Sequence, residues 1–512
     1  MPETKHQTTS AAASVEEAYD GLWHLVAVGV LELDDDDGGP CPRVLRTVWD
    51  TIAEAARTDT ASPARVALID VGVGEGHPDL GSVAGAEAID LATHPAGARY
   101  RPDDAEPEGK TADEGRKADS FFAALGGDLT RFGPLTQAQT ERLGAIVSRL
   151  RHAPGTRRRT AFYDRAFPAH GTAAAGLIVG DPGLGTEREA GIAYAGVDPY
   201  SRLIPIKTAF DPDPESLVAA LLYAEAMRAD VIVVPREFPD PLLAPMVSLP
   251  DAGGSGDACA RKRAALHGSK PEDDLDAGRD PDWELLRRLL VAISRTIPIV
   301  AAAGNSGESQ LVYPASLAEI EGAGIIAVGA VSAYGYRAGY SNGGPVTVYA
   351  PSDDSEVLDR RQARLDPEGA TQPPEIRAAG AATTVPFSRR TIVATDLPGD
   401  WGYAGDARAF PGGADRGGLY AAFGGTSAAT AIVGGVVALM ARAARIAGGP
   451  LDGPTAKRIL RETGRDAPAR APVAPGEPPP PDAEPVALSD ARIVDAGAAV
   501  AAVLAGGAPP PR

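Results

Sequence analysis

Four polar residues stand where apolar segments begin or end, and their types suit nucleophilic catalysis. They are Asp70, His170, Asn305 and Ser427. A serine can attack a carbonyl, a histidine can take its proton, a carboxylate can orient the imidazole, and a carboxamide can stabilise the negative charge that develops on the attacked oxygen. Each residue also has an ordinary structural alternative, so the four must be weighed together.

Asp70 and His170 are the candidate acid and base. Asp70 ends an apolar run from Val66, and a carboxylate at the C-terminal end of a buried strand lies at the edge where α/β sheets assemble their sites. His170 precedes a run of small residues that predicts a closely packed helix, but a lone histidine is more often a capping or loop residue. His267 is followed by charged residues and predicts a surface loop, and His77 is expected to shape the turn after the first strand.

Asn305 and Ser427 are the candidate oxyanion donor and nucleophile. Asn305 follows a buried strand and Gly304, where an asparagine also commonly forms a left-handed turn. Ser427 opens a long apolar helix, where the helix dipole and unpaired backbone N–H groups favour negative charge. The alternative for Ser427 is an ordinary serine N-cap.

The elements that must position these residues alternate between short apolar runs and amphipathic helices. The predicted strands are Val66 to Asp70, Leu203 to Ile206, Val231 to Val234, Pro298 to Ala303 and Ile325 to Val328. The predicted helices are Glu215 to Met227, Asp282 to Arg295 and the small-residue segment Ser427 to Ala443. Near-continuous apolar strands separated by helices are typical of a parallel sheet covered on both faces. The sequence therefore predicts a doubly wound, mostly parallel α/β fold with long loop insertions.

The order Asp, His, Asn, Ser and the local sequences resemble the subtilisin-like serine peptidases, or subtilases. Further family-like segments are Gly76 to Leu80, Ile204 to Lys207, Tyr313 to Ser316, Val328 to Val331, Tyr340 to Asn342, Tyr349 to Pro351 and Arg492 to Ala496. The resemblance covers roughly Pro63 to Leu504, interrupted by insertions. It implies a subtilisin-like fold and a serine endopeptidase that works through an acyl-enzyme on Ser427, with no cofactor for catalysis.

The resemblance also implies a substrate that lies extended between two walls of a groove. Ala302, Ala303 and Gly304 would form one wall of the pocket for the residue before the cut. Relatives have small residues in the opposite wall, where this chain has Pro235, Arg236 and Glu237. Arg236 would either favour an acidic substrate residue or form a solvent-facing ion pair with Glu237.

The domain organisation is predicted from composition and from the extent of the resemblance. The expected parts are an N-terminal extension at 1–61 that is neither a signal peptide nor a usual propeptide, a peptidase domain at 62–505, insertions near 95–168, 238–281 and 352–389, a Pro-rich segment near 466–485, and a disordered tail at 506–512. Within the extension, the helix at Trp49 to Arg57 is a candidate to pack on the core.

Charge and composition limit the partners. Lys and Arg total 49 against 69 Asp and Glu, a net charge of −20 that disfavours nucleic acid. The two cysteines, Cys41 and Cys259, show neither disulfide-framework nor zinc-site spacing. Asp34 to Asp37 lacks the alternating ligands of a calcium loop, so a structural calcium ion has no clear motif and no metal ligand is predicted. With neither a signal peptide nor a membrane span recognised, we expect a soluble, cytoplasmic protein whose partners are peptide or protein substrates.

Two alternatives to the endopeptidase remain at this stage. The chain could be a catalytically silent or regulatory binding module whose insertions block the groove. It could also be a transpeptidase or leader-processing enzyme, because an amine can capture an acyl-enzyme instead of water. The sequence leaves open the cleavage preference, the activation route, the calcium dependence and the oligomeric state.

Overall fold

The structure, a computed structural model, describes most of the chain in segments. The described residues are 22–34, 43–56, 62–74, 77–81, 83, 87–91, 132–152, 169–181, 194–210, 212–239, 281–331, 337–338, 340–353, 392–397, 402–403, 419–466 and 492–506.

Thirteen strands and eight α-helices have both ends within these segments, in addition to a helical stretch at 22–27. The strands are β1 Leu31–Asp34, β2 Arg43–Thr47, β3 Arg65–Asp70, β4 Ile89–Asp90, β5 Arg202–Lys207, β6 Val231–Val234, β7 Ile299–Ala302, β8 Ile325–Val331, β9 Val348–Pro351, β10 Ile392–Thr395, β11 Tyr420–Phe423, β12 Arg465–Asp466 and β13 Arg492–Ile493. The helices are α1 Val48–Ala56, α2 Gln137–His152, α3 His170–Val179, α4 Pro214–Ala226, α5 Pro281–Ser294, α6 Gly425–Ile446, α7 Gly453–Thr463 and α8 Ala496–Leu504.

Nine of the strands form one sheet in the order β12-β13-β9-β8-β7-β6-β3-β5-β4. From β13 to β4 every neighbouring pair is parallel, and only β12 runs antiparallel, against β13. The chain passes from β3 to β5 on one side and then crosses to β6 on the other. This change of direction at β3 is the topological switch point of a doubly wound sheet. The predicted α/β fold class is confirmed.

Strand alternation decides which helices Asp70 can meet. Along β3, Val66 and Leu68 pack into the core cluster that contains α3 and α6, whereas Ala67 and Ile69 pack into the cluster of α4 and α5. Successive side chains of a strand point to opposite faces, so Asp70 lies on the face of Val66 and Leu68. The sheet therefore presents the Asp70 carboxylate to the helices that begin at His170 and Gly425.

Helix α6 is the central buried element of that face. All its residues from Thr426 to Ala444 are buried, and Gly434 and Gly435 lie so close to Val233 and Val197 that an added Cβ would approach within 2.6 Å and 2.5 Å. Among the described helices, α6 alone is long and apolar enough to cross a membrane, yet its most apolar window is 100% buried inside the protein. Its composition is that of a core helix.

Part of the N-terminal extension is built into the same core. Leu25, Val28 and Ile52 are fully buried in the cluster that contains α6. The indole N–H of Trp49 donates to the Val197 carbonyl at 2.9 Å, and the Ala496 N–H at the start of α8 donates to Val28 at 2.7 Å. Residues 22–34 and 43–56 thus pack on the core of the fold, as the Trp49 segment was expected to do.

The first predicted insertion contains a structured element. Helix α2 occupies part of the 95–168 stretch, and Leu143 and Ile146 are fully buried against α4 and α5. The prediction that this stretch is a loop insertion is therefore wrong for α2. Its apolar stripe is short and most of its other residues are polar or charged, so the amphipathic pattern is weak in the sequence. Most of the 238–281 and 352–389 stretches, most of the Pro-rich segment near 466–485 and all of the 506–512 tail except residue 506 lie outside the described residues.

We expect Ile52→Ala to destabilise the whole domain. Ile52 is completely buried, and truncation of such a side chain costs about 2–5 kcal/mol of unfolding free energy. Denaturant unfolding would measure the loss. The control is Glu54→Ala on the exposed face of the same helix, where the surface ion pair with Arg46 contributes about 1 kcal/mol or less. An unchanged unfolding midpoint for Ile52→Ala would show that this segment is not part of the cooperative core.

Candidate active site

Asp70, His170 and Ser427 meet at the carboxyl edge of the sheet. The Nδ1 atom of His170 lies 3.0 Å and 2.9 Å from the two carboxylate oxygens of Asp70. Its Nε2 atom lies 3.0 Å from the Ser427 hydroxyl oxygen. Since a carboxylate only accepts hydrogen bonds, Nδ1 carries the proton and Nε2 is left to accept from the serine. The arrangement can deprotonate Ser427 as it attacks a carbonyl.

The Asp70 carboxylate is 1% exposed, so its charge must be stabilised inside the protein. Burial by itself would raise the pKa of Asp70, but the charge and hydrogen bond of His170, the charge of Arg236 and the Val71 N–H together hold that pKa below its usual value. The Val71 N–H donates to the carboxylate at 2.7 Å. Asp70 is therefore ionised beside the imidazole at neutral pH.

The absence of a side chain at Gly171 allows His170 to come this close. A Cβ at Gly171 would lie 2.1 Å from the Gly72 carbonyl oxygen and 3.2 Å from the Cβ of Asp70. Helix α3 consequently begins directly against the turn that follows β3. The aromatic ring of Phe423 then fixes the other side of the imidazole, edge-on at 5.3 Å between centroids.

Asn305 is held in one orientation beside the first turn of α6, which contains Ser427. Both the backbone N–H and the hydroxyl of Thr426 donate to its Oδ1 atom, at 2.8 Å and 2.9 Å. Because a backbone N–H can only donate, the oxygen of the carboxamide must face Thr426. Asn305 is an exposed residue, and its NH₂ group remains available as a donor.

The opening turn of α6 leaves one backbone donor next to Ser427. The Gly425 N–H donates to Asp353 at 3.1 Å, and the Thr426 N–H donates to Asn305. The Ser427 N–H has no hydrogen-bond partner among the described residues. Together with the NH₂ group of Asn305, it can receive negative charge developing on an attacked carbonyl oxygen.

The support that Ser352 and Asp353 give to the turn before Ser427 was not predicted from the sequence. Both residues are buried, Ser352 donates to the Gly425 carbonyl at 2.8 Å, and the Tyr340 hydroxyl lies 2.7 Å from the Asp353 carboxylate. The Asp353 carboxyl carbon would be only 2.2 Å from a Cβ at Gly424. Assigning these two residues to the 352–389 insertion was wrong, although their position directly after a buried strand was a usable signal.

The two predicted groove walls follow adjacent strands, β6 and β7. Ala302 ends β7, Ala303 and Gly304 follow it, and all three are buried, with Gly304 at a φ of 112°. In the other wall, Pro235 and Arg236 are buried and Glu237 is exposed.

The guanidinium of Arg236 points inward to the loop after β5. It donates to the carbonyls of Phe210 and Ala209 at 3.2 Å and 2.9 Å, and to the Thr208 hydroxyl. The predicted solvent-facing ion pair with Glu237 is therefore wrong. Three acceptors supplied by a neighbouring loop outweigh one exposed carboxylate that water also solvates.

A second buried polar cluster links the turn after β3 to β11. His77 accepts from the Asp79 N–H at its Nδ1 atom, at 3.1 Å, so its Nε2–H donates to the Leu419 carbonyl at 2.8 Å. The Tyr420 hydroxyl donates to the Asp79 carboxylate. Burial lowers the pKa of His77, with the Leu419 carbonyl and the carboxylates of Asp79 and Asp396 partly opposing that shift. His77 thus fixes the turn, as expected from its position.

The described residues contain no group of three or more His, Cys, Asp or Glu side chains that could hold a metal ion. Asp35 to Asp37, the greater part of the acidic run, lie outside the described residues. The expectations of cofactor-free catalysis and of no clear calcium site remain predictions.

A parallel α/β sheet with serine, histidine and aspartate joined at its carboxyl edge defines a serine hydrolase arrangement. Residues 62–472 match the Subtilase family. The chain therefore belongs to the Subtilase family of serine proteases. No curated protein sequence matches it.

Several solved protease structures are similar to the chain at low identity. A protease of Pseudoalteromonas arctica is 17% identical, with 97% of this chain and 100% of that chain covered and a TM-score of 0.48. The serine protease of Aeromonas sobria, in complex with its chaperone, is 15% identical, with 100% and 72% covered and a TM-score of 0.47. The nisin leader peptidase of Lactococcus lactis is 15% identical, with 90% and 93% covered and a TM-score of 0.44.

We expect Gly171→Ala to reduce kcat/KM on a peptide substrate by roughly 10²-fold, because the methyl group forces α3 away from Asp70 and misplaces the imidazole. The matched control is Gly144→Ala in α2, where a Cβ meets nothing within 4 Å. That control should keep full activity. Equal activity of Gly171→Ala and Gly144→Ala would contradict the requirement for close approach.

The depressed pKa of His77 predicts a loss of stability in mild acid. Because His77 has a lower pKa in the folded protein than in the unfolded chain, protonation favours unfolding. Its stabilising contribution is complete above about pH 6.5 and decreases as the pH falls below that value. Unfolding free energies measured between pH 5 and pH 8 should fall more steeply with acidification for the wild type than for His77→Gln, which retains a donor and cannot titrate. Parallel curves would contradict the assignment.

Proposed function

We propose that this subtilase is a serine endopeptidase that cleaves peptide bonds through an acyl-enzyme on Ser427. The observation that carries the proposal is the continuous hydrogen-bonded line from Asp70 through His170 to Ser427. Its distances match those required of a nucleophile and a base oriented by a third group. Membership of the Subtilase family supplies peptides as the substrate class.

In the proposed acylation step, the Ser427 oxygen attacks the carbonyl carbon while its proton passes to Nε2 of His170. Asp70 stabilises the imidazolium and keeps the ring in the required tautomer. The proton then passes from Nε2 to the departing amine, and the C–N bond breaks. Water then attacks the carbonyl carbon of the acyl-enzyme while its proton passes to Nε2 of His170. That proton returns to the Ser427 oxygen as the bond between Ser427 and the acyl group breaks, which releases the acid.

Asn305 and the Ser427 N–H are the proposed oxyanion donors. Asn305 is bound to the first turn of α6 and the Ser427 N–H belongs to that turn, so the helix dipole adds to their field. The orientation of Asn305 depends on Thr426, so the donor is fixed before the substrate arrives. A peptide would lie extended between the wall of Ala302 to Gly304 and the wall of Pro235 to Glu237.

A fluorophosphonate probe tests the nucleophile directly. We expect the folded wild type to be labelled at Ser427 and to cleave a casein or peptide library, whereas Ser427→Ala should lose both reactions. Ser306→Ala is the matched control, since Ser306 is an exposed serine next to Asn305 that should not react. Mass spectrometry of the products would record free carboxyl ends for hydrolysis and new peptide bonds for transpeptidation.

Absence of labelling in folded wild-type protein would contradict the proposal and would favour a silent binding module. Labelling on a serine other than Ser427 would reassign the nucleophile. Cleavage that persists in Ser427→Ala would contradict the acyl-enzyme.

A further inference from the structure

The segment after β6 separates two opposite charges. Arg236 is 8% exposed, and its guanidinium is used by the carbonyls of Ala209 and Phe210 and by the Thr208 hydroxyl. The next residue, Glu237, is exposed. Glu237 forms no ion pair with any residue in the described part of the chain. The charge that this wall presents to solvent is therefore negative.

Glu237 and Asn305 follow two neighbouring strands at the same edge of the sheet. Val234, the last residue of β6, pairs in parallel with Ala301 of β7, so the segments after both strands leave the sheet side by side at its carboxyl edge. Glu237 lies three residues beyond the end of β6, and Asn305 lies three residues beyond the end of β7. The following residue, Phe238, is buried and its N–H donates to the Tyr313 carbonyl at 2.8 Å, which holds the segment in place.

The positive charge of Arg236 does not neutralise the negative charge of Glu237 in the groove. Arg236 helps to keep the Asp70 carboxylate ionised, so the charge of Arg236 is compensated by that of buried Asp70. The carboxylate of Glu237 is then the uncompensated charge of the wall. The whole chain, at −20, also attracts cationic peptides over longer distances.

We propose that Glu237 makes the site prefer substrates with a lysine or arginine immediately before the scissile bond, an inference that rests on the proposed endopeptidase function. This reverses the preference for an acidic residue that Arg236 suggests in the sequence. One partly solvated ion pair at the rim of a groove gives a preference of about tenfold over a neutral isostere. The preference should weaken with added salt.

The test uses three peptides that differ only in the residue before the cut, which is Lys, Gln or Glu. For the wild type at low salt we expect kcat/KM to be about tenfold higher for Lys than for Gln, and lowest for Glu. Glu237→Gln should reduce the Lys-to-Gln ratio to near one, mainly through KM, and should still be labelled by the fluorophosphonate. Glu237→Lys should reverse the order of Lys and Glu.

Glu321→Gln is the matched control, because Glu321 is exposed and lies before β8, at the opposite edge of the sheet. This substitution changes the net charge by the same amount as Glu237→Gln. It should keep the wild-type ratio. A Glu237→Gln protein that is labelled at Ser427 but keeps the Lys preference would overturn the proposal alone. A wild-type preference for the Glu peptide would overturn the proposal and would indicate that Arg236, not Glu237, determines the charge preference. Absence of labelling in the wild type would overturn the proposed function as well.

Discussion

The structure depends on keeping one ionised carboxylate, Asp70, out of water. Removing an ion from solvent costs several kcal/mol unless nearby charges and donors compensate it. Here the compensation comes from three parts of the chain: the Val71 N–H, the imidazole of His170, and the guanidinium of Arg236. Each requires a particular local geometry, namely the turn after β3, a glycine that lets α3 approach, and the junction of the loops after β5 and β6. Asp70 thereby connects the elements that form one side of the groove.

The Ser427 side of the site is held by hydrogen bonds from backbone N–H groups rather than by an ion pair. Asp353 and Asn305 accept hydrogen bonds from the N–H groups of Gly425 and Thr426. The Ser427 N–H is therefore the donor of this turn that remains for a substrate. The turn is also held from below by Ser352. The two sides are joined by the hydrogen bond between the Ser427 hydroxyl and the His170 ring. Small shifts of either side would therefore act on the same hydrogen bond.

The sequence predicted the sheet and its main helices because buried parallel strands are continuous apolar runs. The predicted bounds of β3, β6 and β7 agree with the observed bounds to within one residue. It also predicted the positions of Asp70, His170, Asn305 and Ser427, which the structure brings to one edge. It could not predict the inward direction of Arg236, because that depends on carbonyls of a loop some 26 residues away along the chain. Helix α2 was missed since its apolar stripe is short, and Asp353 was missed since its surroundings read as an insertion.

Ser352 and Asp353 have a consequence for how this enzyme can change. They fix the chain where it leaves the core after β9, and β10 fixes it where it returns, by pairing with β11 immediately before the nucleophile turn. The chain is therefore held on either side of residues 354–391, at Asp353 and at Ile392, and lengthening a connection between two held points costs little free energy. Insertions within 354–391 are therefore expected to change the length of the chain there without removing the hydrogen bonds around Ser427.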